Sequence, residues 1–163
     1  MIDKSLLDEA ASLLEEFRGA GLRLATAESC TGGLVAAILT AVPGSSDVVE
    51  RGFVTYSNAA KSDLLGVDPA LIARVGAVSA EVAAAMARGG LARSRAEVVV
   101  AVTGIAGPSG GTPSKPVGLV FLAGLRRGGE PLVEQHIFVG DRAGVRLASV
   151  RGAFALARAV LAG

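Results

Sequence analysis

The sequence predicts an α/β fold in a single three-layer α/β/α sandwich, with helices on both faces of a mixed sheet. Three observations predict it. Segments of helical periodicity alternate along the chain with short apolar runs of strand-forming residues. The composition is 51% hydrophobic but only 4% aromatic, with 22 glycines, so the core must be built from Ala, Val, Leu and Ile, with tight turns between elements. A late Gly-Gly turn joins two strands directly, which forces at least one antiparallel pair into the sheet. The 163 residues, 1–163, are read as one domain, long enough to bury about two thirds of the surface of the unfolded chain.

Taken in order, Leu6, Leu7, Ala10, Leu13, Leu14 and Phe17 recur at spacings of three and four, so Ser5 to Arg18 reads as an amphipathic helix ended by Gly19 and Gly21. "LRLATAE" reads as a short buried strand. "TGGLVAAILTAV" is apolar nearly all round and stops at Pro43-Gly44, which predicts a helix packed on the sheet and covered on its other side. "RGFVTYSN" has strand-forming residues, and "AAKSDLLGV" reads as a short helix ended by Gly66. "SAEVAAAMARGGLARS" is a further helix with Ser79 as N-cap, weakened in its second half by Gly89 and Gly90. "AEVVVAVTGIAG" is the most apolar strand and belongs in the middle of the sheet. "PSGGTPSKP" is a loop, "VGLVFLAGLRRGGEPLVEQHIFVG" two strands joined at "RRGGEP", and the chain closes with a helix from about Asp141 to Leu161.

Charge and composition exclude several functions. The 16 basic residues nearly balance the 15 acidic ones, and no basic run exceeds Arg126-Arg127, so no nucleic-acid partner is expected. A single cysteine rules out an internal disulfide and a cysteine-based zinc cage, and fits a reducing cytoplasm. The N-terminal stretch carries acids throughout, and no apolar run reaches a membrane span, so no membrane partner is expected either.

Elimination narrows the chemistry further. A Ser-His-Asp triad needs a histidine beside its nucleophile. The one histidine, His136, lies in the hairpin strand "VEQHIFV", where alternation reads it as an ordinary sheet residue. One His and one Cys cannot supply the ligands of a zinc hydrolase, so no metal and no cofactor are expected. What remains is a serine or cysteine activated by a lysine of lowered pKa. Lys4 lies near a terminus and Lys115 in the proline-rich loop, which leaves Lys61 as the lysine in a defined element. If Asn58 caps its helix, Lys61 is the third helical residue, near the positive end of the dipole; burial beside Tyr56 would add desolvation, and both favour the neutral, base-competent form. Ser29 stands where a strand passes into a helix. Its hydroxyl suits an N-cap, and the same geometry suits a nucleophile whose oxyanion is held by free N–H groups of "CTGG", with Gly32 and Gly33 permitting close backbone approach. Cys30 is the rival nucleophile, or a small buried residue. The glycine-rich segment Thr103 to Pro113 follows the central strand, where open α/β sheets bind ligands, but it lacks the Lys and Ser/Thr of a phosphate loop.

As a set, "AESCTGG", "GFVTYSNAAKSDLLGV", "GAVSAEVAAAMA", "AVTGIAGPSGGTPSKPVGLV" and the late "GDR" closely resemble the C-terminal domain of the competence/damage-inducible protein CinA, a domain that also occurs alone as a nicotinamide mononucleotide deamidase. The resemblance covers nearly the whole chain. It does not extend to the nucleotide-hydrolysing domain of longer members, so that pyrophosphatase activity is not implied. It implies hydrolysis of nicotinamide mononucleotide to nicotinate mononucleotide and ammonia, with Ser29 as nucleophile, Lys61 as base and Tyr56 beside them. It further implies that Cys30, Thr31, Gly32, Gly33, Asn58, Thr103, Gly104, Gly107, Gly110 and Gly111 surround the substrate, and that the protein is a homo-oligomer. Arg51, Arg142 and Arg146 are unranked candidates for a phosphate contact. The competing expectation is a non-catalytic nucleotide-binding or regulatory module in which Ser29 only caps its helix.

Overall fold

The computed structural model describes residues 2–163. Five strands form one open sheet: β1 (Leu24–Glu28), β2 (Val49–Val54), β3 (Val98–Gly104), β4 (Leu119–Arg126) and β5 (Leu132–Ile137). Their spatial order is β2-β1-β3-β4-β5. β1 runs parallel to both β2 and β3, whereas β4 runs antiparallel to its neighbours β3 and β5. The sheet is therefore mixed, and β3 sits at its centre with six of seven residues buried, as its uninterrupted valines require.

Helices α1 (Lys4–Ala20), α2 (Leu34–Thr40) and α6 (Arg142–Ala162) share one apolar core with the even-numbered side chains of β3. Helices α3 (Asn58–Leu65), α4 (Pro69–Val75) and α5 (Ala80–Ala92) enclose a second core on the opposite face, where Val99, Ala101, Ala123 and Leu125 point. The three-layer expectation holds. Among the described residues no helix is long and apolar enough to cross a membrane.

Three local differences from the sequence reading have physical causes. The helix expected from Thr31 starts only at Leu34, because Gly32 and Gly33 take left-handed φ of 57° and 97° and form a tight turn instead. Helix α4 was not anticipated at all, although Asp68 caps it by accepting from the Ala70 N–H and Pro69 opens it. The Gly89-Gly90 pair, expected to weaken the second half of α5, lies inside the helix and has a packing role. A Cβ on Gly89 would collide with the Leu65 carbonyl of α3, and one on Gly90 would lie 3.1 Å from Val99, so both glycines bring backbones together. Close packing of α5 on α3 thereby sets where α3 lies, and α3 carries Lys61.

Candidate active site

Ser29 follows directly on β1, and its N–H donates to the Val102 carbonyl of β3 at 2.9 Å. The side chain therefore emerges at the carboxyl ends of two parallel strands, where open α/β sheets place their ligands. Lys61 is the fourth residue of α3, since Ser57 is the N-cap, accepting from the Ala60 N–H at 3.0 Å, and Asn58 is already helical. That corrects the cap expected at Asn58. The Lys61 N–H is satisfied inside the helix by Ser57 O, so the dipole matters less to its side chain than its surroundings do.

Those surroundings are dry. Lys61 is 1% exposed, yet no carboxylate pairs with it among the described residues. Its Nζ donates to Ser29 Oγ at 2.9 Å and to the Thr55 carbonyl at 2.9 Å. Burial pushes the Lys61 ammonium below its ordinary pKa, with the neighbouring Cys30 opposing the shift weakly. In the neutral amine the lone pair faces Ser29 while an N–H stays on Thr55. The pair thus has the geometry of a nucleophile and a proton acceptor.

Ser29 does not cap α2. That role falls to Glu28, which the sequence reading passed over. Its carboxylate, 1% exposed, accepts from the Val35 N–H at 2.8 Å and the Ala36 N–H at 3.1 Å. Its own backbone carbonyl accepts from the Thr55 N–H at 2.8 Å, and the Thr55 carbonyl in turn holds Lys61. One residue therefore ties down both the serine turn and the segment that orients the lysine. An acid inside an otherwise apolar strand was the available signal, because a buried carboxylate needs strong donors.

Ser29, Cys30, Tyr56, Asn58, Lys61, Thr103, Gly104, Gly107, Gly110 and Arg142 share a cavity of about 320 Å³ with Ala77, Val78, Ile105, Ala106 and Ser109. Tyr56 is 60% exposed, and its hydroxyl accepts from Arg142 at 2.8 Å, so it makes no hydrogen bond to Ser29 or Lys61 and does not provide the burial expected of it. Arg142, at the start of α6, also donates to the Gly107 carbonyl and so ties the glycine-rich loop to Tyr56. The Thr103 hydroxyl is committed to the Ala77 carbonyl at 2.9 Å.

Four of the residues expected around the substrate do not line this cavity. Thr31 is fully buried with its hydroxyl unpartnered, Gly32 lies under the Arg146 guanidinium, Gly33 is the N-cap residue of α2 and sits against Val54, and Gly111 packs its backbone on Val117. Their part is to shape the turn and the loop. Of the N–H groups in the turn, Gly32 donates to Ser29 O, while Cys30, Thr31 and Gly33 have no backbone acceptor among the described residues. Arg146 donates to the Thr31 carbonyl and borders a neighbouring cavity, whereas Arg51 is held on β2 by Glu50 and the Arg93 carbonyl, outside the site. No group of three or more metal-ligating side chains occurs among the described residues.

Burial pushes the Cys30 thiol up to about 11, which keeps it protonated and unreactive at neutral pH. If the site hydrolyses an amide, Cys30→Ala is expected to keep that rate within about threefold of the parent, since the substitution removes a small buried side chain and not a nucleophile. Product release from the variant checks this, and a loss comparable to that of a Ser29 variant would make the thiol the attacking group.

Three comparisons bear on this geometry. The model of the CinA C-terminal domain matches residues 7–161. A CinA-like protein of Akkermansia muciniphila is 56% identical over 125 residues, which are 77% of this chain and 30% of that protein. A putative competence-damage inducible protein of Symbiobacterium thermophilum is 53% identical over 169 aligned residues, 99% of this chain and 39% of that protein. The chain thus spans about a third of the length of the curated relatives it matches. Among solved structures, the competence/damage inducible protein CihA from Agrobacterium tumefaciens superposes with a TM-score of 0.95 at 48% identity, covering 98% of both chains. A CinA superfamily protein from Klebsiella pneumoniae superposes at 0.92 with 34% identity, covering 96% of this chain and 98% of that one.

Proposed function

The chain belongs to the CinA C-terminal domain family, and from that premise we propose that it is an amidohydrolase that converts nicotinamide mononucleotide to nicotinate mononucleotide and ammonia through an acyl-enzyme on Ser29. The observation that carries the reading is the 2.9 Å contact between Ser29 Oγ and the buried, carboxylate-free Lys61 Nζ. A helix-capping serine has no need of such a neighbour.

In the proposed cycle neutral Lys61 takes the Ser29 proton as Oγ bonds to the carboxamide carbon, and the developing oxyanion meets N–H groups of the turn after Ser29. Lys61 then returns the proton to the leaving nitrogen. The carbon–nitrogen bond breaks, ammonia departs, and the ester to Ser29 remains. Water attacks that ester with Lys61 again as acceptor, releasing the carboxylic acid and restoring the serine hydroxyl. Nucleophile, base and donors all come from the chain, so the reading calls for no metal and no cofactor. In this reading Tyr56 and Arg142, which line the cavity and hydrogen-bond to each other, would meet the nucleotide end of the substrate.

The test is incubation of the purified protein with nicotinamide mononucleotide, following ammonia and the acidic product together. Stoichiometric appearance of both is expected, unchanged by prior chelation. Tight binding of the nucleotide without ammonia would instead support the non-catalytic module, and activity that needs an added divalent ion would remove the Ser-Lys mechanism.

A further inference from the structure

Arg142 and Arg146 stand one turn apart at the start of α6, and each ties down a different wall of the candidate site. Arg142 holds the Gly107 carbonyl and the Tyr56 hydroxyl. Arg146 donates from Nη2 to the Thr31 carbonyl at 2.9 Å, and the same nitrogen would lie 3.6 Å from a Cβ on Gly32, so the guanidinium rests on the serine turn. It is not among the residues that line the Ser29 cavity. Arg18, Arg51, Arg88, Arg151 and Arg158 each have a carboxylate partner, whereas among the described residues Arg146 has none. Two buried side-chain polar atoms lack a hydrogen-bond partner among the described residues, Arg146 Nε and Thr31 Oγ1, and they belong to these two touching residues. Folded proteins keep few such groups, because each gives up hydrogen bonds it had in water. Stability therefore supplies no reason to hold an unpaired charge against this one turn.

The backbone of the turn shows what the contact does. The Gly32 N–H donates to the Ser29 carbonyl at 2.9 Å and closes a turn from Ser29 to Gly32. That N–H and the Thr31 carbonyl belong to one planar peptide unit, so fixing the carbonyl fixes the direction of the N–H. Besides Arg146, the carbonyl accepts only from the Leu34 N–H, which lies just beyond the turn in sequence, so Arg146 is its anchor to a distant element. Gly32 and Gly33 both take left-handed φ and lend the turn little stiffness of their own. With the Thr31–Gly32 peptide pinned, the Cys30 and Thr31 N–H groups, which have no backbone acceptor, keep a fixed direction beside the nucleophile. Building on the amidohydrolase reading, we propose that Arg146 is a positioning residue for the oxyanion step: it pins the Ser29 turn through the Thr31 carbonyl and sets an unpaired positive charge behind it. The sign of its field agrees, since burial raises the Cys30 thiol and Arg146 is among the groups that act against that rise. Support of this kind grows as negative charge develops on the substrate oxygen, so it raises kcat and leaves ground-state binding nearly unchanged.

Arg146→Gln and Arg146→Lys test this, each assayed below its own unfolding transition. With nicotinamide mononucleotide, Arg146→Gln is expected to lower kcat on the order of 10-fold or more while KM stays within about twofold, because the lost support is felt in the transition state. Arg146→Lys keeps the charge but not the planar fork and should recover part of the loss. Arg146→Met, which keeps the apolar stem, carries the forecast for the neutral variant if Arg146→Gln folds poorly. A second probe does not depend on which amide is the substrate. With an alkyl fluorophosphonate, Ser29 Oγ bonds to phosphorus, the serine proton passes to Lys61, the phosphorus–fluorine bond breaks and fluoride leaves. The rate of Ser29 labelling, read by mass spectrometry, is expected to fall in the order parent, Arg146→Lys, Arg146→Gln. A parent that labels but releases no ammonia would remove nicotinamide mononucleotide as substrate, and that order of labelling rates would still support the role of Arg146. Labelling of Arg146→Gln at the parent rate would overturn it, as would a KM raised about 10-fold at unchanged kcat, the mark of a residue that binds substrate. A parent that neither labels at Ser29 nor turns over would remove both the reading and the inference built on it.

Discussion

Ser29→Ala and Lys61→Met are each expected to lower kcat for deamidation by about 10²-fold or more, with the double variant scarcely slower than either single one. General-base assistance supplies roughly 10²–10⁴ in rate, and members of one catalytic unit do not add. Lys61→Arg should not rescue, because a guanidinium stays protonated and cannot take the serine proton. Stability separates this from structural damage. Ser29 caps nothing, but its hydroxyl accepts from the buried Lys61, so Ser29→Ala should cost about 1 kcal/mol and leave the fold intact. For Lys61 burial lowers the folded-state pKa below that of the unfolded chain. The unfolded chain therefore binds the extra proton between those two values, and parent stability rises with pH across that window up to about 10.5. Below the window the full cost of the buried ammonium is present, and Lys61→Met, of similar volume, should remove both the cost and the slope. Thermal unfolding against pH, run beside ammonia release, checks both. Retained turnover per folded molecule in either variant would sink the dyad.

The layers, and the central position of β3, were legible because burial on both faces leaves a run of valines with no other reading. Ser29 and Lys61 were legible by elimination, since a chain with one histidine and one cysteine offers few nucleophile and base pairs. Their 2.9 Å separation was not, because it depends on how α3 lies against α5, and that rests on Gly89 meeting the Leu65 carbonyl, a contact between segments far apart in sequence. The acceptor at the start of α2 was missed for a related reason. A serine before a glycine turn matches the usual N-cap pattern, but the pattern assumes that the helix begins at once. Two left-handed glycines delayed α2 to Leu34 and brought its first N–H groups back over β1, within reach of Glu28 instead. The same non-local contacts explain why Tyr56, read as a neighbour that buries the lysine, turns to Arg142.

The second large effect is expected at Glu28, which touches neither substrate nor reacting atoms and acts by position. Glu28→Ala leaves the Val35 and Ala36 N–H groups without their acceptor, in a place that water does not reach freely. Hydrogen bonds to a charged group contribute about 1.5–3 kcal/mol, and orphaned buried donors cost a similar amount, so a loss of about 3 kcal/mol in unfolding free energy is expected. Glu28→Gln keeps the shape but has one acceptor oxygen for two donors, and its amide N–H₂ would face the other N–H. It should recover only part of the loss. Glu28→Asp retains the charge yet is one methylene short, so the start of α2 must move to meet it. In each case the Ser29 turn shifts relative to Lys61, and a displacement of about 1 Å at a reacting group can cost 10²-fold. The expected pattern is therefore a fall in kcat, measured per folded molecule below the unfolding transition, with KM changed much less, because Tyr56, Arg142 and the glycine loop are held by other contacts. A capping role confined to stability would lower the melting temperature and leave kcat of the folded fraction intact. Steady-state kinetics on Glu28→Gln, set beside its unfolding curve, distinguishes the two, and a parent-like kcat would show that the serine turn holds its position without the carboxylate.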